Sequence, residues 1–73
     1  MASLPPIAVG QRFRDVQQRT FGRPGLVWVV QDCLTLTDGV AHARLVCVTD
    51  PSRRKTLSFA ALAERSRYQR IEP

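Results

Sequence analysis

Apolar positions gather in two β-rich runs. Leu26-Val27-Trp28-Val29-Val30 and Ala43-Arg44-Leu45-Val46-Cys47-Val48 flank Thr37-Asp38-Gly39. Runs of β-branched and aromatic residues around an Asp-Gly turn are a strong hairpin signature. In the first arm, Leu26 to Leu36, the residues Trp28, Val30, Leu34 and Leu36 share one parity, but so does Asp32. Val27, Val29 and Cys33 hold the other parity, interrupted by Gln31. A β-bulge near Gln31-Asp32 reconciles the two halves and bends the strand. The second arm, Val40 to Thr49, puts Ala43, Leu45 and Cys47 on one face, the expected core, and His42, Arg44, Val46 and Val48 on the other.

Shorter patterns flank this hairpin. Gly10-Gln11-Arg12-Phe13-Arg14-Asp15-Val16 reads as a first strand, with Arg12 and Arg14 on the face opposite Phe13. Gln17 to Gly25 is dense in turn residues and reads as a long loop, with Phe21 inside it as a core lid or a contact. Asp50-Pro51-Ser52 ends the hairpin, and Arg53 to Ser58 follows as a fourth strand with Leu57 inward. Ser58 is placed to cap a helical turn over Phe59-Ala60-Ala61-Leu62-Ala63-Glu64. Tyr68-Gln69-Arg70-Ile71 is the last strand. Residues 1–9, with Pro5-Pro6, read as a flexible lead, and residues 10–73 as the domain.

Five short strands, a long bent hairpin in the middle and a helical turn before the last strand resemble the SH3-like barrel. The resemblance covers residues 10–71 and rests on the strand at Gly10, the Leu26–Thr49 hairpin and the Phe59–Glu64 turn before Tyr68–Ile71. In this pattern the chain is similar to small single-domain bacterial proteins of that shape. The resemblance implies an all-β fold, a small five-stranded SH3-like barrel with a short helical turn before the last strand. Tudor and KOW domains share the fold. The clustered aromatics of a Tudor cage and the glycine-centred loop of KOW have no clear counterpart here.

With 73 residues there is room for one domain and a modest core, and no deep walled site in addition. The realistic site is a groove or a face, so a small-molecule substrate is not expected. Eleven Lys and Arg against six Asp and Glu give a net charge of +5. The excess is segregated: residues 53–73 hold Arg53, Arg54, Lys55, Arg65, Arg67 and Arg70 against Glu64 and Glu72. A field of this sign attracts phosphate backbones or acidic surfaces. The amino-terminal residues lack the basic and apolar regions of a signal peptide, and no apolar run approaches a membrane span, so a cytoplasmic protein with reduced cysteines is expected. Cys33 and Cys47 lie on the two arms of one hairpin; buried thiols and a cross-strand disulfide both fit the pattern.

Catalytic chemistry finds little to work with. His42 is the sole histidine, on the outward face of its strand, and no acid pair stands out as general acid and base. Asp15, Asp32, Asp38 and Asp50 read mostly as turn residues that cap their own backbone. One histidine and two distant cysteines do not make a zinc site, and Gly22-Arg23-Pro24-Gly25 feeds a strand, not the helix that a phosphate-cradling loop requires. No metal or cofactor is expected, and the function indicated is binding, not catalysis. Arg53, Arg54, Lys55, Arg65, Arg67 and Arg70, with Tyr68 as a stacking surface, form one basic patch if the fourth and fifth strands lie close, and this is the recipe for nucleic acid. Trp28 and Phe21 are further stacking candidates, although Trp28 fits the core better. The alternative is a protein partner or a homodimer, suggested by the outward valines Val46 and Val48.

Overall fold

The computed structural model describes residues 7–17 and 25–71. Their elements are β1 (Arg12–Asp15), β2 (Val27–Thr35), β3 (Ala41–Cys47), β4 (Arg54–Ser58), α1 (Phe59–Leu62) and β5 (Tyr68–Ile71). All five strands form one antiparallel sheet in the order β4-β3-β2-β1-β5, curled into a half-barrel. The chain is mostly β, as its alternation implied; β1, β2 and β3 are one or two residues shorter at either end than the pattern suggested, β4 starts one residue later, and β5 has the expected bounds. The expected loop with Phe21 falls largely on residues 18–24, outside the described residues, as do residues 1–6 of the lead.

The central hairpin closes where the turn residues predict. Gly39 takes φ 80°, the left-handed conformation that glycine adopts without steric cost. Asp38 Oδ1 accepts from the Val40 amide at 2.9 Å, and the Gly39 amide donates to Leu36 O at 2.8 Å. Register runs from Thr35↔Ala41 to Trp28↔Cys47 and slips between Val30 and Asp32, which is the bulge at Gln31. The bulge exchanges faces. Before it, Trp28 and Val30 point inward; after it, Cys33 turns toward the core while Leu36 is exposed.

The inner face holds the core: Phe13, Trp28, Val30, Ala43, Leu45, Cys47 and Tyr68, capped by Leu62 of α1. Ile7, Leu26, Cys33, Leu57 and Phe59 pack around it. Residues 7–10 are tied to the sheet, since Gly10 donates its amide to Val30 O at 2.8 Å and Ile7 lies on the core. Ser58 is the helix cap, its Oγ accepting from the Ala61 amide at 3.1 Å. The cysteines lie on the same inner face without meeting. Cys33 is opposite Ala43 and Cys47 opposite Trp28, and both thiols are free. Ala43 and Cys47 are four strand positions apart, about 13 Å, which exceeds the reach of a disulfide.

Outward residues form ordered rows. Following the register across the sheet, Arg54, Val46, Val29, Arg12 and Ile71 stand side by side, one from each strand. The next row carries Val48, whose amide donates to Val27 O, followed by Val27, Arg14 and Gln69. The outer face is thus a block of four valines with arginines on its flanks.

Candidate functional site

The inner ends of β1, β4 and β5 converge on one polar cluster. Alternation in β4 sends Lys55 and Leu57 inward and Arg54 and Thr56 outward. Pairing of β1 with β5 sets Asp15 directly across from Tyr68. Although β4 and β5 are the two outermost strands, the curl carries Lys55 Nζ to 2.8 Å from Tyr68 Oη. The same ammonium lies 4.2 Å from the centre of the Trp28 ring, 4.9 Å from that of Tyr68 and 3.8 Å from Asp15 Oδ2. Arg67 completes the cluster, with Nε 4.0 Å from Asp15 Oδ2 and its guanidinium over the Tyr68 ring at 5.4 Å.

Asp15 has no exposed surface, so this carboxylate is a structural anion and not the turn acid its sequence setting suggested. It does keep one turn-type bond, accepting the Gln17 amide on Oδ1 at 3.1 Å. Its anionic charge is balanced by Lys55 and Arg67, which is how a protein of this size buries a carboxylate. The sequence carried a signal for this role, because Asp15 shares the parity of Phe13 and therefore its face.

The sequence-derived patch is brought together in part. Lys55, Arg67 and Tyr68 meet at the seam between the sheet edges. Tyr68 is only 3% exposed, so it offers no ring face to a base, and Trp28 is likewise buried. Arg70 lies over Phe13 at 5.6 Å. Arg53, Arg54 and Arg65 are exposed and lie within two residues of Lys55 or Arg67 along the chain, and among the described residues none of the three is in an ion pair. Arg12 and Arg44, which the sequence reading did not assign to the patch, are exposed in the same condition on the outer face.

Other candidate chemistry separates. His42 is outward on β3, with Nδ1 2.9 Å from Val40 O, whereas Cys33 and Cys47 face inward. Burial pushes the Cys47 thiol up, yet bonds from Thr49 and the Asp50 backbone, with the charge of Arg53, bring it below its ordinary value. Among the described residues no group of three or more His, Cys, Asp or Glu is placed to hold a metal ion. Among the described residues no helix is long and apolar enough to cross a membrane. Comparison with protein-family models, with curated proteins and with solved structures gives no match.

Proposed function

We propose that this is a non-catalytic binding domain whose ligand is nucleic acid, held by its phosphates. The observation that carries the reading is the convergence of two cationic segments distant in sequence. Lys55 and Arg67 both approach Asp15, which brings Arg53 and Arg54 on one side and Arg65 on the other to the borders of one seam. Lys55 and Arg67 serve the fold, so the exposed guanidiniums of Arg53, Arg54 and Arg65 carry the binding. Arginine suits this role because its planar fork matches phosphate oxygens. The strand order and the helical turn before β5 support the SH3-like reading of the fold.

The test is anisotropy of labelled single- and double-stranded oligonucleotides at two salt concentrations. With three phosphate contacts on a single strand, raising salt from about 50 to about 200 mM weakens binding roughly 20-fold. Charge reversal at Arg53, Arg54 and Arg65 abolishes binding while the Trp28 emission spectrum stays native. Unchanged affinity in that variant rules the reading out.

A second reading is favoured by the outer face, where Val27, Val29, Val46 and Val48 are contiguous between Arg12 and Arg14 on one flank and Arg54 on the other. The occupant would be a protein that brings carboxylates to those arginines, since a second copy would set arginine against arginine. Its binding survives charge reversal at Arg53 and Arg65 and is lost on charge reversal at Arg12 and Arg14. A sedimentation run across micromolar concentrations separates it from self-association.

A further inference from the structure

The β2 bulge leaves a depression of about 260 Å³ lined by Gln31, Arg44, Leu45, Arg54, Lys55 and Thr56. Register explains its composition. Arg44 pairs with Thr56 and Val46 with Arg54, so both arginines and the threonine stand on the outer face of adjacent strands. Arg44 and Arg54 are diagonal neighbours, about 7–8 Å apart at their bases, a span that two long side chains close readily. Leu45 and Lys55 send their side chains to the inner face, so they give the floor strand backbone. Gln31 is the extra residue of the bulge, and its exposed amide lies at the rim of the depression.

The donors here are two guanidiniums, an amide and a hydroxyl, and no carboxylate lines the depression. Among the described residues none of the four side chains has a hydrogen bond or ion pair. The nearest acid by register, Asp32, is opposite Arg44, yet its Oδ1 accepts the Cys33 amide at 2.9 Å and it makes no ion pair with the arginine. The space is smaller than the ~300–1,000 Å³ typical of small-molecule pockets and suits a single charged group.

We infer that this depression binds a phosphate-type oxyanion, gripped by Arg44 and Arg54 with Gln31 and Thr56 donating to its remaining oxygens. The shared chemistry has two sources, a phosphodiester of nucleic acid or a free phosphate. Where the anion is a phosphodiester, the inference rests on the nucleic-acid reading; where it is free phosphate, it does not.

Amide and arginine side-chain NMR of the whole chain separates these outcomes, with titrations at constant ionic strength of inorganic phosphate and of a short oligothymidylate. The expected result is saturable shifts at Gln31, Arg44, Arg54 and Thr56, with affinity at least tenfold lower in Arg44→Gln. If both ligands do this, the inference stands and the one that binds more tightly is the source. If phosphate alone does, the site stands and the nucleic-acid reading falls. If the oligonucleotide binds at Arg53 and Arg65 without moving Gln31 or Arg44, the nucleic-acid reading stands and this inference is overturned. Uniform, non-saturating shifts with both ligands overturn both.

Discussion

Lys55 Nζ donates to the Tyr68 hydroxyl across the opening between β4 and β5, the two strands that, among the described residues, have no strand neighbour on their outer edges. No ladder bonds join those strands, so side chains draw the edges together. Replacing Tyr68 by Phe removes the acceptor and leaves the ring. A hydrogen bond to a charged group contributes about 1.5–3 kcal/mol. Because Lys55 is partly exposed, the loss should sit at the low end, a fall in Tm of roughly 5–10 °C for a domain of this size. Thermal melts followed by Trp28 emission measure it.

Asp15→Asn should cost more than its size suggests, about 2 kcal/mol, since it leaves two cations around a neutral amide. Exchanging Asp15 and Lys55 together for apolar residues should recover part of that loss. Urea denaturation of the single and double variants gives the coupling directly. Simple additivity would mean that the charges do not act as a pair.

Binding and stability should separate by residue. Arg53→Gln and Arg65→Gln are expected to weaken oligonucleotide binding with stability changed by less than about 0.5 kcal/mol, as surface substitutions usually do. Lys55→Met is expected to lower Tm. A Lys55→Met protein that melts like the wild type would return that ammonium to the list of free phosphate contacts.

The four-residue helix depends on its ends. Ser58→Ala removes the oxygen that caps the Ala61 amide and should cost about 1 kcal/mol. Leu62→Ala empties a fully buried site and should cost about 2–5 kcal/mol. Chemical denaturation of the two variants tests the ranking.

The β3–β4 turn supplies a pH dependence. The Ser52 hydroxyl bond to Asp50 Oδ1 at 2.6 Å is the main influence that holds this carboxyl below its ordinary value of 3.8; slight burial opposes it, while the Ser52 amide and Arg53 assist. A carboxyl depressed in the folded state stabilises above its unfolded pKa, and that contribution is lost as pH falls through the folded one. Wild type should therefore lose more stability than Ser52→Ala between neutral pH and pH values below 3.8. Parallel acid titration curves for the two proteins would contradict this.

Much of the fold was legible because its signals are local. Asp38-Gly39 marked the hairpin, Ser58 marked the helix start, and the broken alternation at Gln31 marked the bulge. Each of these depends on neighbours within a few residues. The functions of Asp15, Lys55 and Tyr68 were not legible in the same way. Lys55 sits in a run of cations and reads as surface, and only the curl of the whole sheet brings it against Tyr68. The two cysteines were undecided because face and register are separate quantities: parity gives the first, and only the bulge position and turn length together give the second. Cys33 should accordingly react with a thiol reagent in the native protein and Cys47 only on unfolding.

The pairing of β1 with β5 has a kinetic meaning. Arg12 finds its partner Ile71 almost the full length of the described chain away, so the sheet cannot be completed until the last strand is available. Contacts of such long sequence separation slow folding, because the loop must close before the contact stabilises anything. A ribosome-bound chain lacking residues 68–71 would have its hairpin but neither the second neighbour of β1 nor the acceptor for Lys55. On this topology the sheet is completed, and Lys55 gains its acceptor, only once β5 is available.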